Sequence, residues 1–425
     1  MEVAKKSPIL RVLMLPWLAH GHILPFLELA KRLATRNFRL YLCSTPVNLI
    51  SIKKKISDKF SSSIQLVELH LPSSPELPPH HHTTNGLPPH LMAQLKKAYE
   101  MSAPQFSTVL STLHPDLVIY DLNQPWAAKI ASSHNIPAVQ FISVSTSFVC
   151  FCLHTTKNSG KKFPYPEIYL RDYERLFKLQ GKTEVQHNDV NGGSVFLQAV
   201  DRSHKSLLIK SFREIEGKFV DFLSSISNKK VIPVGPLVHD PTNSDEEDDD
   251  HQPSEDDREI MAWLDRKERN SVVYVSFGSE YYLTNEERKE IAKGLELSNV
   301  NFIWVIRFPL GEKISIEEAL PEGFLHRIGH RGKIVERWAP QPLNARLVEA
   351  VGVGVEAIRD EEGNLQSEEI GRVIRQVMVD ENGEDVRRKA KEISEKLERK
   401  GDEEIDTLVE ELLGLCQKNL YIGTK

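Results

Sequence analysis

Cysteines are scarce in this sequence, and their spacing argues against two common kinds of site. The chain of 425 residues has four of them, at positions 43, 150, 152 and 416. They are too few and too unevenly placed for a disulfide framework. Cys150 and Cys152 also lack the spacing of a zinc finger. We therefore predict a protein without a metal site in a reducing compartment, the cytoplasm.

An excess of positive charge and long apolar runs are also missing. The sequence has 54 Lys and Arg residues against 60 Asp and Glu residues, a formal net charge of −6, which argues against a nucleic-acid partner. No uninterrupted apolar stretch reaches the length that crosses a membrane. The run Ile9–Leu18 is broken by Arg11 and Pro16 and lacks a small-residue cleavage site, so it is not typical of a signal peptide. We expect a monomer without a membrane span.

The first half of the sequence contains a regular alternation of strand and helix patterns. Leu10–Pro16 is typical of a buried strand, and Leu24–Arg36 has the apolar spacing of an amphipathic helix. Further strand-like runs follow at Leu40–Cys43, Ile64–Leu69, Leu117–Tyr120 and Ala138–Ile142, and a helical pattern spans Leu91–Leu113. This alternation predicts an α/β fold with a parallel, doubly wound sheet.

A second set of alternating elements predicts a second domain. It begins at Ser271–Ser276, and a chain of 425 residues is long enough for two cores. Between the two sets lies Asp240–Arg258, an acidic segment that cannot bury enough apolar surface to order itself. We therefore predict an N-terminal domain of residues 1–239, an acidic linker or loop of residues 240–258 and a C-terminal domain of residues 259–425. The charged helices near the end of the chain, including Glu384–Leu413, are expected to pack on the second domain.

His22 and Asp121 are the candidate catalytic residues. His22 follows the first predicted strand and opens the first helix, at the sheet edge where doubly wound folds bind ligands. The positive end of the helix dipole disfavours protonation of an imidazole there, which suits a general base. Asp121 ends the strand Asp116–Tyr120 on the same edge, where its carboxylate could hold one ring nitrogen of His22. Without this context, a solvated or backbone-bonded histidine would be the better interpretation.

Three motifs resemble those of plant-type UDP-sugar-dependent glycosyltransferases. They are the segment Leu18–Pro25 with its Gly21-His22 pair, the segment Ser276–Ser279, and the tetrapeptide Trp338–Gln341. The resemblance covers nearly the whole chain. It implies the GT-B fold, in which two doubly wound, Rossmann-like domains face a cleft, with the acceptor bound mainly by the first and the UDP-sugar by the second.

The resemblance also implies an inverting reaction. His22, held by Asp121, would deprotonate an acceptor hydroxyl that attacks the anomeric carbon while UDP departs. UDP-glucose would be the donor substrate, and no cofactor is implied. The phrases Leu69–Pro75 and Thr84–Pro88 are similar to those of enzymes that add glucose to sugars already present on flavonoid, terpenoid or carotenoid-derived glycosides. The implied acceptor is therefore a small-molecule glycoside.

Five residues of the second domain match the family's donor site. Gly278 and Ser279 match a loop that touches the diphosphate, where small residues let backbone N–H groups approach phosphate oxygens. Trp338 would stack on the uracil ring, and the backbone of Ala339 would pair with the base edge. Gln341 matches either the glutamine that contacts the ribose or the one that binds the sugar hydroxyls. The sequence fits both assignments.

Most of the donor block is absent after Gln341. In the family the tetrapeptide W-A-P-Q opens a long signature block, whereas here the chain runs directly from Gln341 into Pro342. The loss is on the order of 30–40 residues, the size of a βαβ unit, so the second sheet should lack strands. Because each preorganised donor facing developing charge contributes roughly 3–4 kcal/mol, turnover should fall by orders of magnitude. A catalytically inactive remnant or splice product, acting as a small-molecule binder or as a partner of an intact homologue, is the alternative.

A run of three histidines, His80 to His82, could suggest a metal site. Adjacent side chains diverge, and prolines surround the run, so a solvated loop is the better interpretation. The resemblance implies that the loop Leu77–Met92 and the segment Ser143–Phe148 border the acceptor pocket. No residue of these segments is assigned a role.

Overall fold

The computed structural model of the protein describes residues 9–122, 124–158, 160–171, 192–237, 255–277, 282–308, 314–335 and 343–420. Contacts between residues divide the chain into two units. The first consists of Met1–Phe163, Lys182–Asn243 and Glu395–Lys425, and the second of Pro164–Gly181 and Ser244–Ser394.

The first unit is built on a seven-stranded sheet. Its strands are β1 (Leu10–Leu15), β2 (Phe38–Ser44), β3 (Ile64–Glu68), β4 (Leu117–Tyr120), β5 (Ala138–Ile142), β6 (Ser206–Ile209) and β7 (Lys230–Pro233). All pairs are parallel, in the order β3-β2-β1-β4-β5-β6-β7. The strand order reverses between β1 and β4, which makes the carboxyl edge of these two strands the expected ligand position. The predicted doubly wound sheet is confirmed.

Helices connect these strands on both faces of the sheet. They are α1 (His20–Ala34), α2 (Pro46–Lys53), α3 (Asp58–Ser61), α4 (Met92–Met101), α5 (Ala103–Leu113), α6 (Pro125–Ser133), α7 (Thr146–Lys157), α8 (Gly192–Arg202) and α9 (Arg213–Ser227). The helical pattern predicted over Leu91–Leu113 is confirmed, but it forms two helices that are separated at Ser102. Pro104 lies in the first turn of α5, where its missing N–H has no helical partner to lose.

Alternating side chains of β1 show why the sheet is covered on both faces. Val12 and Met14 belong to one apolar cluster, which includes α1 residues such as Phe26. Leu13 and Leu15 belong to the other, which includes residues of α4 to α6. Successive strand residues point to opposite faces, so a strand buried on both sides needs this continuous apolar run.

The last helix corrects the predicted domain assignment. Its Ile405, Leu408 and Leu412 lie in the same cluster as Val12 and Phe26 of the first unit. The prediction that the chain's final helices pack on the second domain is therefore wrong for the part after Glu395. The sequence pattern shows an apolar stripe on this helix but cannot say which unit offers a matching surface.

The second unit has three parallel strands among its described residues. They are β8 (Val272–Val275), β9 (Asn301–Val305) and β10 (Gly332–Val335), in the order β10-β9-β8. The α-helices described after β7 are α10 (Glu255–Leu264), α11 (Asn285–Ser298), α12 (Ile316–Ala319), α13 (Phe324–Ile328), α14 (Leu343–Val351), α15 (Ser367–Met378) and α16 (Glu384–Leu420). The last of them continues into the first unit. A Cβ atom added at Gly294 of α11 would lie 2.6 Å from Ile370 of α15, so glycine permits the close approach of these two helices.

The first strands of the two units, β1 and β8, differ in how many strands cover their edges. β1 pairs with β2 on one side and with β4 on the other, and nearly all of its side chains are buried. β8 pairs only with β9 among the described residues, and Tyr274 is 59% exposed. The second unit thus has the β3-β2-β1 half of a doubly wound sheet, while the other half has no counterpart in the described ranges.

No helix among the described residues combines the length and the apolar character needed to cross a bilayer. Within the same ranges, no group of three or more histidine, cysteine and acidic residues is arranged to hold a metal ion.

Candidate active site

The carboxyl edge of the first sheet brings together the residues predicted to be catalytic. α1 begins at His20, so His22 lies in its first turn, and the His22 backbone N–H donates to the Ala19 carbonyl at 2.9 Å. Asp121 directly follows β4, and its backbone N–H donates to Leu15 O at 3.2 Å. The two residues therefore leave adjacent strands at the same edge.

The side chains of His22 and Asp121 are in direct contact. His22 Nδ1 lies 2.7 Å from Asp121 Oδ2. The Asp121 side chain is fully buried, whereas the His22 ring is 19% exposed. A ring that is partly exposed and held from one nitrogen can present its other nitrogen to a substrate. The predicted pairing is what the structure shows.

Two backbone amides fix the role of the carboxylate. Trp17 N–H donates to Asp121 Oδ2 at 3.0 Å, and Leu122 N–H donates to Asp121 Oδ1 at 2.7 Å. Both oxygens therefore serve as acceptors. Because a carboxylate only accepts, we infer that His22 donates to it from Nδ1. Nε2 then carries the lone pair that a general base needs.

Aromatic residues hold the Trp17 backbone in place. The Trp17 and Tyr99 rings are 5.5 Å apart, and Tyr99 also packs edge-on against Trp126 at 5.5 Å. The Tyr99 hydroxyl donates to Pro16 O at 2.8 Å. Because Tyr99 is buried, this contact fixes the segment whose next amide binds Asp121.

Ser143 is a third polar group at the site that the sequence did not identify. Its Oγ lies 3.1 Å from His22 Nδ1. Ser143 directly follows β5, which is the neighbour of β4. The signal was present in the sequence, since a serine after a third strand reaches the same edge, but its contact depends on the pairing register.

The neighbouring His20 is turned toward another partner. Its Nε2 lies 2.9 Å from Ser51 Oγ of α2. Of the two histidines in the motif, only His22 contacts Asp121, as predicted.

The histidine run is only partly solvated, which corrects the loop interpretation. His82 is buried, and its Nε2 lies 3.3 Å from Leu77 O. Burial lowers the pKa of His82, which favours the neutral ring. Thr45 Oγ1 donates to His82 O at 2.7 Å, and Thr84 N–H donates to Leu18 O at 2.9 Å. These hydrogen bonds hold the loop that contains His82 and Thr84 beside the first turn of α1.

A surface pocket lies along this loop. It has a volume of about 510 Å³ and is lined mainly by apolar atoms with three histidines, including Ile50, Leu71, His70, His80 and His82. Ile50 is 74% exposed. Three of its lining residues, Pro79, His80 and His82, belong to the loop that the resemblance places at the acceptor pocket.

The five predicted donor-binding residues, Gly278, Ser279, Trp338, Ala339 and Gln341, lie outside the described residues. The described range that contains β8 ends at Phe277, one residue before Gly278. In the described ranges, the buried Ser276 hydroxyl has no hydrogen-bond partner. It lies just past the carboxyl end of β8, where the predicted diphosphate loop begins.

Comparison with known proteins gives a consistent result. The family model for the glycosyltransferase N-terminal domain matches residues 9–239. UDP-glucosyltransferase 29 of Panax ginseng is 47% identical over 450 aligned positions, which cover 96% of this chain and 97% of that protein. The beta-D-glucosyl crocetin beta-1,6-glucosyltransferase of Gardenia jasminoides is 45% identical, covering 95% of this chain and 98% of its own length.

Solved structures agree on the fold. A Glycyrrhiza uralensis UGT complexed with glycyrrhetinic acid 3-O-monoglucuronide superposes with a TM-score of 0.79 at 21% identity, covering 98% of both chains. Phytolacca americana UGT2 complexed with UDP-2fluoro-glucose and pterostilbene gives a TM-score of 0.69 at 20% identity, covering 96% of this chain and 100% of that one. The predicted GT-B fold is confirmed by this likeness.

Proposed function

This chain belongs to the family of plant UDP-glycosyltransferases, and we propose that it is built for inverting transfer of glucose from UDP-glucose to a hydroxyl of a small-molecule glycoside. The observation that carries the proposal is the 2.7 Å contact between His22 Nδ1 and the buried Asp121 carboxylate. No resident cofactor enters the proposed reaction.

The proposed reaction is a single displacement. His22 Nε2 accepts the proton of the acceptor hydroxyl as its oxygen forms a bond to the anomeric carbon. The bond from that carbon to the diphosphate oxygen breaks, and UDP leaves with the electron pair. Asp121 stabilises the imidazolium that forms, and the Trp17 amide keeps the carboxylate in place. A positioned base of this kind contributes roughly 10²–10⁴-fold in rate.

A glycoside acceptor is supported by relatives and by the loop beside the site. Relatives whose names describe action on already glycosylated compounds include the Gardenia crocetin enzyme and a cyanidin-3-O-glucoside 2-O-glucuronosyltransferase of Bellis perennis, which is 40% identical. Pro79, His80 and His82 of this loop line part of the pocket of about 510 Å³. Its mixture of apolar walls and imidazoles suits a molecule with an apolar body and sugar hydroxyls.

The proposal includes a defective donor half. The alignment with the Panax relative extends over 450 positions although this chain has 425 residues, so at least 25 positions have no residue here. The partly exposed side chains of β8 support the same view, because the equivalent β1 is covered by strands on both sides. We propose that the missing block follows Gln341, and that turnover is strongly reduced as a result.

A catalytically inactive remnant is the second candidate function, and the exposed β8 favours it. In this case the first unit would still bind glycosides, because its sheet and its apolar clusters are complete in the described ranges. The two candidates differ in turnover and in UDP affinity, not in acceptor binding.

Calorimetric titration with UDP and with a flavonoid glucoside, combined with a coupled UDP-release assay, tests the proposal. We expect glycoside binding, weak UDP binding, and slow UDP release that His22→Ala abolishes. UDP release that survives His22→Ala would disprove the proposed base. If the chain binds the glycoside but shows no turnover, the second candidate, a catalytically inactive remnant, is supported instead.

A further inference from the structure

Lys210 is placed at the active-site edge by the pairing of β5 and β6. Ile142 pairs with Ile209, the last residue of β6. The Lys210 backbone N–H then donates to Ile142 O at 2.8 Å, so the pairing continues by one residue. Lys210 therefore lies beside Ser143, roughly 5 Å away at ordinary strand spacing. Ser143 is the residue whose hydroxyl contacts His22.

Strand alternation places Lys210 and Ser143 on the same face of the sheet. Phe141 and Leu208, each two residues earlier, both belong to the apolar cluster that contains Phe26 of α1. Side chains two residues apart on a strand share a face. The Lys210 side chain thus leaves the sheet on the face that α1 covers, near the turn that carries His22.

Among the residues that the structure describes, none explains the position of the Lys210 ammonium group. Over the described residues it makes no hydrogen bond and no ion pair, although the side chain is half-buried. Burial lowers the pKa of Lys210. The nearby Glu216 carboxylate is already occupied by Thr146, Ser147 and Ser211. A half-buried cation without a counter-charge destabilises the folded chain unless a ligand supplies the charge.

We propose that the Lys210 ammonium binds an anionic oxygen of a substrate at this edge, from either the diphosphate of the UDP-sugar or a carboxylate on the acceptor glycoside. The inference rests on the proposed function, because it assumes that substrates bind beside His22. It adds a binding residue on the first unit, outside the predicted donor loop. If the anion is the diphosphate, Lys210 would also compensate in part for phosphate ligands that the chain lacks.

Binding experiments on the full chain separate the two sources. UDP, a flavonoid 7-O-glucuronide and the matching 7-O-glucoside are titrated into the unmodified protein, Lys210→Met and Lys210→Arg. Exposed Lys97 of α4 provides a matched control, Lys97→Met. We expect Lys210→Met to weaken one of the two anionic probes about tenfold or more, since hydrogen bonds to charged groups contribute on that scale. The neutral glucoside should bind equally well, and Lys210→Arg should retain most of the affinity.

Two further measurements separate a ligand role from a structural one. Without ligand, Lys210→Met should unfold at the same temperature as the unmodified chain or a higher one, because it removes an uncompensated cation. In the unmodified chain, the anionic probe that binds should slow acetylation of Lys210 by acetic anhydride but not that of Lys97, as measured by mass spectrometry.

Equal affinity of Lys210→Met and the unmodified chain for both anions would overturn the inference, as would a failure of the unmodified chain to bind either anion. Loss of folding in Lys210→Met would overturn it as well, since it would make the residue structural. Failure of the proposed function has a different readout. It would appear as UDP release that persists in the His22→Ala variant.

Discussion

The Nδ1 atom of His22 lies 2.7 Å from the Oδ2 atom of Asp121, although the two residues are 99 positions apart in the chain. The reversal of strand order between β1 and β4 makes them neighbours, because each residue follows the carboxyl end of one of these adjacent strands. Trp17, which lies between β1 and α1, completes the arrangement by donating its amide to the same carboxylate oxygen. The base and the group that orients it are thus fixed by backbone topology.

Asp121→Asn should reduce kcat/KM for UDP release by roughly 10²–10⁴-fold. The amide keeps one acceptor oxygen, so it cannot accept from both Trp17 and Leu122. It also has no charge to stabilise the imidazolium. Asp116→Asn is the matched control, because Asp116 lies at the opposite end of β4 and pairs with Arg11. We expect the control to change stability slightly and turnover very little. Equal activity of both variants would exclude Asp121 from the reaction.

Ser143→Ala should lower kcat by roughly 2- to 10-fold, the usual range for one neutral hydrogen bond. The reason is that His22 Nδ1 would lose its second partner, and the ring would be less well oriented. Ser143→Thr, which keeps the hydroxyl, should restore most of the activity. Ser145→Ala, two residues further on and without a capping hydrogen bond to α7, provides a control. A pH–rate profile of Ser143→Ala identical to that of the unmodified chain, with the same kcat, would contradict this role.

The sequence was sufficient to predict a parallel sheet with β1 to β5 and the His22–Asp121 pair, because both follow from strand alternation and from the position of strand ends. The strands β6 and β7 were not predicted. The sequence was insufficient for Ser143 and Lys210, because no pattern in it specifies the registers of β5. Ser143 depends on the pairing of β5 with β4, and Lys210 on its pairing with β6. Docking of α16 was wrongly predicted for a similar reason. An apolar stripe that includes Leu408 and Leu412 requires a partner surface but does not identify it.

Glu404 of α16 should make the stability of the first unit depend on pH. Burial raises the pKa of Glu404 from an ordinary 4.5 to about 7, with Glu214 adding to the effect. Its Oε1 accepts from the Arg213 backbone N–H at 3.1 Å, while its buried Oε2 has no partner among the described residues. The folded chain therefore holds a proton that the unfolded chain releases, and stability falls as the pH rises from about 4.5 to about 7.

Glu404→Gln should be more stable than the unmodified chain at pH 8 by about 1–3 kcal/mol, the scale of an unsatisfied buried polar group. At pH 5 the difference should be much smaller, because the carboxyl group of the unmodified chain is then neutral in the folded state. Chemical denaturation at the two pH values measures this. Glu403→Gln, at an exposed neighbouring position, should show no such pH dependence. A gain that is equal at pH 5 and pH 8 would rule out ionisation of Glu404 as the cause.

Insertion of the family's missing block between Gln341 and Pro342 should raise UDP affinity and turnover by several orders of magnitude. The inserted βα units would supply the lost phosphate donors, each contributing roughly 3–4 kcal/mol, and would give β8 a neighbour on its second side. Covering β8 should also reduce solvent access to Tyr274, which is 59% exposed in this structure. UDP titration, UDP release and iodination of Tyr274 measure the three effects. A Gly-Ser insert of equal length is the control, because it restores the chain length but neither the donors nor the strands. If that insert restores turnover, or if the family block does not, the defect does not lie in the missing block.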